Sequence, residues 1–412
     1  MSSSIYRSFQ SDQFPNHLEI SFRDGSFRQT LIYEKVTWEV EGQRRGLRYG
    51  ENPDQPAALY RMVNGNLCLG EVECIEAGNW LASDAELLQS GKHPGKINIT
   101  DADAALNILR YLSDEPAAVI VKHNNPSGVA LRPTPEEAYL TAFWADPIAA
   151  FGGTVALNRP VDLSTAEAIS ERYVEVICAP EYEQGVLDQL KKRKNLRIMR
   201  IANMDRLRQY VGRRALDLKS LIDGGLVCQW SYVPRQLTPA DLLPASAEYG
   251  GKRFAIERPP TESEKLDMIF GWYVESGVTS NSVIYVKDRA TVSIGTGEQD
   301  RVGVAEIARD KAFRKLGERI AQDEFGRSLR ELSIEERSAV EASVESRNGG
   351  LAGSTMISDG FFPFRDGVDV GLRVGVSSVV QPGGSIRDFE SIEACNEYRA
   401  TMVFTGQRSF KH

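Results

Sequence analysis

Apolar and polar positions along the chain alternate between two periods. Residues 104–109 and 164–169 repeat their apolar side chains with helical spacing, whereas 118–121, 154–157 and 174–178 are short apolar or β-branched runs. Short apolar runs separated by helical segments are typical of parallel strands that helices cover on both faces. The pattern therefore predicts an α/β protein with a mostly parallel sheet.

The same order of elements returns after a proline-rich interruption. Residues 230–260 lack a clear period, and Thr261-Glu262-Ser263-Glu264 has the sequence of a helix start with a capping box. Strands are predicted at 282–286 and 291–295, so the second half repeats the first and predicts an internal duplication. Residues 14–22 alternate like an edge strand. The predicted organisation is an N-terminal arm and two lobes, over residues 1–46, 47–230 and 231–412.

Composition and charge narrow the class of protein. The chain has 412 residues, 42% of them hydrophobic and 26% charged, and no apolar run approaches the ~20 residues of a membrane span. Polar sequence follows Met1, so we expect no signal peptide and a cytoplasmic location. A net charge of -8 disfavours nonspecific binding to nucleic acid or to anionic membranes. An anionic ligand therefore requires local cations.

The cysteines and histidines predict neither a disulfide framework nor a metal site. The cysteines are scattered without a Cys-x-x-Cys pair, and we expect them to be reduced, buried small hydrophobes. The histidines show no metal-ligand spacing, so no zinc site is predicted. The cysteines are Cys68, Cys74, Cys178, Cys228 and Cys395.

A lysine and a histidine stand side by side at the end of a buried strand. Lys122 and His123 follow the apolar run and precede Asn-Asn-Pro-Ser-Gly, which predicts a tight loop. Histidine titrates near neutrality, and lysine does so when desolvated or close to other cations, so the pair suits proton transfer. A surface lysine beside a loop-capping histidine is the alternative. Consecutive strand residues reach one ligand only if the strand ends or bulges there.

The C-terminal region combines a strand, a glycine turn and a helix. A strand is predicted over 376–381, followed by Pro-Gly-Gly-Ser and a helix over 386–398 with Ser385 as its N-cap. Backbone N–H groups at such a turn can bind an anion, although these turns also simply link strands to helices. A last strand over 401–405 precedes Arg408, which places a cation where α/β proteins bind ligands.

Seven short motifs stand out in sequence order. They are Arg-Tyr-Gly-Glu-Asn-Pro at 48–53, Lys-His-x-Asn-Pro at 122–126, Ala-Phe-Gly-Gly at 150–153, Glu-Val-Ile-Cys-Ala-Pro at 175–180, Ser-Asn-Ser at 280–282, Ser-Asp-x-Phe-Phe-Pro-Phe at 358–364 and Gln-Pro-Gly-Gly-Ser-Ile-Arg-Asp at 381–388. From about Phe14 to His412 the chain resembles AICAR transformylase, the C-terminal portion of the bifunctional purine biosynthesis proteins.

The resemblance implies an activity, a fold and partners. The activity is formyl transfer from 10-formyltetrahydrofolate, the cosubstrate, to the 5-amino group of AICAR ribonucleotide, which gives FAICAR in the de novo route to IMP. The implied fold is a pair of duplicated cytidine-deaminase-like lobes without zinc, in a homodimer, and the resemblance leaves room for a monovalent cation. Because the sequence ahead of Arg48 is short, we expect a stand-alone transformylase without cyclohydrolase activity, and a separate IMP cyclohydrolase downstream.

The resemblance also implies roles for individual residues. Lys122 and His123 match the catalytic pair, and Asn281 matches the residue that orients the carboxamide or the transferred formyl group. Matches to the nucleotide site are Arg48, Tyr49, Gly152, Glu175, Arg408, Phe410 and His412. Matches to the folate side are Arg301, Val302, Phe361, Phe364 and Asp366. The sequence departs from the family at Ser127, where cysteine is common, and at Asp54, where histidine is common.

The chemistry explains these residue types. The AICAR amine is a weak nucleophile, so attack on the formyl carbon needs orientation and removal of a proton. General acid–base help contributes roughly 10²–10⁴-fold, and positioning can remove roughly 7–11 kcal/mol of the barrier, so positioning should dominate. We favour His123 as proton shuttle toward the amine and Lys122 as its partner near the folate nitrogen or the oxyanion, but the sequence does not assign the two roles.

Two other functions compete with this interpretation. The first is a ribonucleotide-binding regulator without turnover, which has no need of Lys122, His123 and Asn281 together. The second is a transformylase with another formyl donor, such as formate activated by ATP. The aromatic segment from Phe361 to Asp366 favours folate, although an aromatic core turn would have the same sequence. The chain also has no Gly-x-x-x-x-Gly-Lys-Ser/Thr phosphate loop.

Overall fold

The computed structural model describes residues 12–412, which divide into two compact units. Unit 1 contains the chain up to Asn124 together with Thr134–Glu136 and Phe151–Val233, and unit 2 contains Asn125–Pro133, Glu137–Ala150 and Pro234–His412. The units differ from the predicted lobes in their boundary and in the two short segments that unit 2 takes from the first half. The lobes therefore stay a prediction, and the part of the predicted arm before residue 12 lies outside the described residues.

The strands and helices of the described residues have the following bounds. The strands are β1 (His17–Asp24), β2 (Phe27–Lys35), β3 (Trp38–Val40), β4 (Gln43–Arg45), β5 (Tyr60–Met62), β6 (Glu86–Gln89), β7 (Ala117–Lys122), β8 (Asn125–Leu131), β9 (Thr154–Leu157), β10 (Val176–Ala179), β11 (Arg197–Arg200), β12 (Leu216–Ser220), β13 (Leu226–Trp230), β14 (Leu243–Pro244), β15 (Ser246–Tyr249), β16 (Lys252–Ala255), β17 (Val283–Lys287), β18 (Ala290–Gly295), β19 (Thr355–Ser358), β20 (Ser378–Gln381) and β21 (Thr401–Phe404). The helices are α1 (Lys96–Leu109), α2 (Pro135–Ala145), α3 (Leu163–Ser170), α4 (Val186–Leu190), α5 (Glu262–Glu275), α6 (Arg301–Phe325), α7 (Ile334–Ser346), α8 (Arg365–Leu372) and α9 (Asp388–Glu397). None of the helices within residues 12–412 combines the length and apolarity of a membrane span.

Both units are α/β, as predicted, but their sheets are mixed. In unit 1 the order is β6-β11-β10-β9-β7, with β9, β10 and β11 parallel and both outer pairs antiparallel. In unit 2 the order is β14-β21-β20-β19-β17, and each pair has the same parallel or antiparallel direction as the corresponding pair of unit 1. Two further strands, β18 and β8, follow, and each pairs antiparallel with the strand before it. The prediction of a mostly parallel sheet is wrong, because short turns such as Asp288-Arg289 return the chain without a crossover helix.

The connections within each unit also follow one order. Helix α1 precedes β7 as α5 precedes β17, α3 links β9 to β10 as α8 links β19 to β20, and α4 links β10 to β11 as α9 links β20 to β21. The strands at the centre of each sheet are fully buried, because their side chains are apolar on both faces. The edge strand predicted in residues 14–22 is confirmed as β1, the outer strand of a separate β1-β2-β5 sheet.

Three helix starts can be compared with the sequence. The capping box of α5 is confirmed, with Thr261 Oγ1 accepting the Glu264 N–H at 3.2 Å and the Glu264 carboxylate accepting the Thr261 N–H at 2.8 Å. Helix α1 begins at Lys96, ahead of the helical period read over residues 104–109, and the Asn98 side chain accepts the Gly95 N–H at its start. Helix α9 begins at Asp388, so Ser385 is not its N-cap.

Two backbone donors of the Pro-Gly-Gly-Ser turn before α9 already have a partner within the chain. Asp388 Oδ2 accepts the N–H groups of Gly384 and Ser385 at 2.7 and 3.0 Å. The chain's own carboxylate thus occupies the position that the sequence suggested for a bound anion. The anion-site hypothesis at this turn is wrong for these two donors.

The expectation of five reduced, buried cysteines is wrong for three of them. Cys68 and Cys74 form a disulfide with a Cα–Cα distance of 5.5 Å, and Cys228 is a free, exposed thiol on β13. Cys178 and Cys395 are free and buried as expected. The sequence did not predict this pairing, because the two cysteines are six residues apart and do not form a Cys-x-x-Cys pattern. They come together only because the chain between residues 68 and 74 folds back on itself.

Candidate functional site

The strand carrying the predicted catalytic pair ends between its two members. Lys122 is the last residue of β7, and His123 and Asn124 follow with left-handed φ values of 53° and 63°. The predicted loop from Asn124 to Gly128 is wrong, because β8 already begins at Asn125. Because the strand ends at Lys122, the His123 side chain need not point to the opposite face of the sheet. Both side chains can therefore reach one ligand.

Gly152 and Glu175 lie beside Lys122 within unit 1. The Lys122 Nζ donates a hydrogen bond to the Phe151 carbonyl at 2.5 Å. Gly152 has a φ of 69°, and a Cβ there would lie 3.2 Å from Lys122 Nζ and 3.5 Å from Glu175 Oε1. A side chain at Gly152 would therefore crowd both the Lys122 ammonium and the Glu175 carboxylate, so these two groups lie close together.

A buried arginine that the sequence analysis did not single out extends this group. Arg197, at the start of β11, is 4% exposed and lies 3.4 Å from Glu175 Oε2, and its Nε donates to the His93 carbonyl. Burial lowers its pKa, while the Glu175 charge opposes that shift. In the sequence, Arg197 is visible only as an arginine at the start of an apolar strand. Ordinary strands with one exposed face have the same pattern, so the sequence did not indicate a functional residue.

Arg48 and Tyr49 adjoin the same buried arginine. Arg48 is 6% exposed, its Nη1 donates to the Lys92 carbonyl at 3.0 Å, and its guanidinium lies 5.1 Å from the Tyr49 ring centre. A cavity of about 480 Å³ beside it is lined by Val40, Glu41, Arg45, Arg48, Ser90, Gly91, Lys92, His93 and Asn195. Burial lowers the pKa of His93, and the charges of the neighbouring arginines add to that effect. Unit 1 thus holds the local cations that an anionic ligand requires.

In unit 2, Arg301 binds the residue predicted to orient the substrate. Its Nη2 donates to Asn281 Oδ1 at 2.6 Å, and its Nη1 pairs with the carboxylate of Asp359, which is 0% exposed. The Asn281 Nδ2 donates to the carbonyls of Glu298 and Gln299, each at 2.9 Å. Asn281 is therefore fixed on all sides, and the second lone pair of its Oδ1 remains available to a ligand donor.

The C-terminal residues gather around one aromatic ring. The Arg408 guanidinium lies 4.8 Å from the centre of the Phe410 ring, the Arg301 guanidinium lies 5.9 Å from it, and the His412 ring packs edge-on at 6.1 Å. A Cβ at Gly360 would lie 2.6 Å from Arg301 Nη2, so glycine permits this approach. Unit 2 thus brings Asn281, Arg301, Arg408, Phe410 and His412 together.

The remaining folate-side residues line the surface next to this group. Phe361 and Phe364 are 43% and 51% exposed, while Phe362 between them is fully buried. Asp366 is exposed and its carboxylate accepts the Gly367 N–H, and Val302 follows Arg301 in α6. Two exposed aromatic rings on either side of a buried phenylalanine suit stacking against a flat ligand. Of the departures from the family, Asp54 is exposed and Ser127 is buried in β8.

Two buried acids of unit 2 were given no role from the sequence, although Asp359 stands in the 358–364 motif. Asp359 accepts hydrogen bonds from Arg301 and from the Ser280 hydroxyl. Glu275, at the end of α5, is fully buried, and its Oε1 accepts from Ser282 Oγ at 2.8 Å. Burial, followed by the charge of Asp359, raises the pKa of Glu275 well above its ordinary value. Across residues 12–412, no three His, Cys, Asp or Glu side chains are grouped as a metal site.

Comparison with known proteins identifies the family. A sequence model described as "AICARFT/IMPCHase bienzyme" matches residues 10–311. The bifunctional purine biosynthesis protein PurH of Persephonella marina is 37% identical over 406 residues, covering 94% of this chain and 66% of the relative. Its namesake from Magnetococcus marinus is 39% identical over 393 residues, covering 95% and 62%. That of Chlorobaculum parvum is 37% identical over 368 residues, covering 89% and 59%.

These matches extend over most of this chain but not over most of each relative. The chain spans 66%, 62% and 59% of the lengths of these three relatives. The family model covers well over half of the chain and includes the motifs at 48–53, 122–126, 150–153, 175–180 and 280–282. The chain belongs to the AICARFT/IMPCHase bienzyme family.

Proposed function

We propose that this chain transfers a formyl group from 10-formyltetrahydrofolate to the 5-amino group of AICAR ribonucleotide, giving FAICAR. The observation that carries the proposal is the end of β7, where Lys122 lies beside Gly152 and the carboxylate of Glu175, and His123 follows Lys122 directly in the chain. The family supports the proposal. The relatives are named bifunctional purine biosynthesis proteins, and the family is described as an AICARFT/IMPCHase bienzyme.

Unit 1 is proposed to bind the nucleotide and move the proton. Arg48, supported by Arg197 and the neighbouring cations, would hold the phosphate, and Glu175 and Tyr49 would border the nucleotide. Lys122 uses one ammonium hydrogen on the Phe151 carbonyl, which leaves two donors for the developing oxyanion or the folate nitrogen. His123 would then carry the proton from the amine, although the two roles can be exchanged.

Unit 2 is proposed to bind the folate and orient the reacting groups. Phe361 and Phe364 offer exposed rings for stacking, and Asp366 offers a carboxylate that accepts N–H groups of the pterin. Asn281 would accept a hydrogen bond from the carboxamide or hold the formyl group. Arg301 and Val302 would border the folate, and Arg408, Phe410 and His412 would contribute contacts to the nucleotide.

The organisation of the enzyme forms part of the same proposal. The five-strand order that the two units share supports duplicated lobes, which we propose to be of the cytidine-deaminase-like kind without zinc. We also propose a homodimer in the cytoplasm that binds AICAR and the folate and binds neither nucleic acid nor membrane. A monovalent cation stays a prediction, and a comparison of turnover in potassium and in choline salts tests it.

The deciding experiment is an assay of the purified chain with AICAR and 10-formyltetrahydrofolate that follows tetrahydrofolate formation. We expect turnover that needs both substrates. Turnover with formate and ATP in place of the folate would favour another formyl donor. Tight AICAR binding without any turnover would favour the regulator.

Ring closure is a separate prediction. We expect FAICAR to accumulate and a separate IMP cyclohydrolase to act on it. Mass spectrometry of a completed reaction distinguishes the two products, since closure removes one water. Enzyme-dependent IMP at a rate comparable to formyl transfer would overturn this prediction and leave the formyl transfer proposal intact.

A further inference from the structure

The turn that carries His123 has an uncommon backbone. His123 and Asn124 have φ values of 53° and 63°, and neither is glycine. Non-glycine residues are uncommon in the left-handed region, although histidine and asparagine occur there more often than most. Because two such residues follow each other, the direction in which the His123 side chain leaves the strand depends on contacts that hold this turn.

A carboxylate of α1 makes those contacts. Asp101 Oδ1 accepts the Asn124 N–H at 2.7 Å. The His123 N–H also donates to this carboxylate. Burial raises the pKa of Asp101, and the hydrogen bonds from Asn124 and His123 lower it by a smaller amount. The two consecutive N–H groups of the turn are thus directed at a single side chain.

The side chain of Asp101 is shielded from solvent. It is 5% exposed and belongs to the buried face of α1, which it shares with Ala102, Ala105 and Leu106. The charged or titratable groups that face it are Lys122 and His123 on the turn and Cys178 on β10. An acid on the apolar face of a helix is costly unless its hydrogen bonds are satisfied, and here the turn satisfies them.

We propose that Asp101 is a positioning residue whose carboxylate fixes the backbone at 123–124 and thereby sets the His123 side chain relative to Lys122. The proposal deepens the proposed function and rests on it. Asp101 acts through the turn and not on the substrate, so its loss should reduce turnover more than substrate binding. A displacement of about 1 Å in a reacting group can cost on the order of 10²-fold in rate.

The test compares three variants with the wild-type chain. Asp101→Ala removes both acceptors, Asp101→Asn keeps one oxygen for the Asn124 N–H, and Asp103→Ala is the control on the exposed face of the same helix. We measure kcat, KM for AICAR, and amide hydrogen exchange of the segment around 123–124. We expect kcat to fall by about 10²-fold in D101A with little change in KM, to fall less in D101N, and to be unchanged in D103A.

Hydrogen exchange separates this proposal from the proposed function. Faster exchange at 123–124 in D101A, together with the loss of kcat, supports the positioning role. Wild-type kcat in D101A, or a loss of kcat without faster exchange at the turn, overturns it. If the wild-type chain does not transfer formyl groups, the proposed function fails, and exchange alone decides whether Asp101 holds the turn. If D101A does not fold, D101N becomes the test. A lower kcat together with faster exchange at 123–124 in D101N supports the proposal, and wild-type values of both overturn it.

Discussion

At the scale of single residues, two glutamates of α5 respond to pH in opposite directions. Glu275 is fully buried beside Asp359, and its pKa is raised well above 4.5 by burial. Its proton is therefore held more tightly in the folded chain, and its contribution to stability is complete below about pH 4.5 and is lost as the pH rises through its folded pKa. Glu264, in the capping box, has a pKa of about 2, because the hydrogen bonds from Arg258 and Thr261 outweigh burial, so its contribution is lost as the pH falls.

Substitution of these glutamates by glutamine should therefore have opposite effects. Glu275→Gln keeps an acceptor for Ser282 Oγ and cannot ionise, so we expect a higher Tm than wild type at pH 8 and a similar Tm near pH 4. The expected gain is on the order of 1 kcal/mol or more, since each pKa unit corresponds to about 1.4 kcal/mol. Glu264→Gln should lower the Tm at pH 7. Thermal unfolding across pH checks both, and a lower Tm for E275Q at pH 8 would contradict the argument.

His123 tests the chemistry. We expect His123→Ala to lower kcat by roughly 10²–10⁴-fold, the usual contribution of general acid–base catalysis. AICAR binding should survive, since His123 is assigned to proton transfer and not to the phosphate. Steady-state kinetics and calorimetric titration measure the two effects separately. Loss of binding with unchanged turnover would refute the assignment.

Arg48 and Arg408 test nucleotide binding. Their replacement by alanine should each weaken AICAR affinity by about 10- to 100-fold, because a charge-assisted hydrogen bond contributes roughly 1.5–3 kcal/mol. Arg44→Ala, an exposed arginine close to Arg48 in sequence, is the matched control and should bind normally. Unaltered affinity in both test variants would assign these arginines to structure.

Several residues that the sequence singled out are neighbours in the structure, whereas some buried charged residues were given no role. Lys122 lies beside Gly152 and Glu175 within unit 1, and Asn281 lies beside Arg301 within unit 2. Asp101, Arg197, Asp359 and Glu275 were given no role, because a charged residue within or beside an apolar run looks the same in sequence whether it is buried or exposed. Only tertiary contacts distinguish such a residue from an ordinary surface position.

At the scale of elements, most helices and strands follow from apolar periodicity, and the errors arise where packing uses turn-forming residues. Asn125-Pro126-Ser127-Gly128 has turn composition but forms the start of β8. A Cβ at Gly128 would lie 1.8 Å from the Ala142 carbonyl oxygen, so the glycine is required by the close approach of α2 and not by a turn. Sequence alone cannot separate these two uses of glycine.

The Cys68–Cys74 disulfide predicts an ordered pattern of thiol reactivity. Without reductant, Cys228 should be alkylated in the native chain, Cys178 and Cys395 only after unfolding, and the other two only after reduction. Closure of so short a loop should stabilise the fold by about 2 kcal/mol in the chain-entropy account. Mass spectrometry of the alkylated chain counts the thiols, and five reactive thiols without reductant would contradict the pairing.

At the scale of the whole molecule, one hairpin exposes an apolar surface. Strands β12 and β13 form a two-stranded sheet, and at its tip Leu221 and Leu226 are 47% and 60% exposed beside the fully exposed Ile222. A two-stranded ribbon is marginally stable in water, and a contiguous exposed apolar patch is typical of an interaction surface. In the proposed homodimer this hairpin is a natural position for contact with the second copy.

This contact predicts a change of oligomeric state. We expect light scattering to give a mass of about twice 45.7 kDa for the wild-type chain. Ile222→Asp combined with Leu226→Asp should shift the population toward the monomer, because two buried charges would face an apolar interface. Ile334→Asp, which alters a single exposed apolar residue on α7, is the matched control and should leave the mass unchanged. A wild-type monomer that turns over would refute the homodimer, and a double variant that stays dimeric would place the interface elsewhere on the molecule.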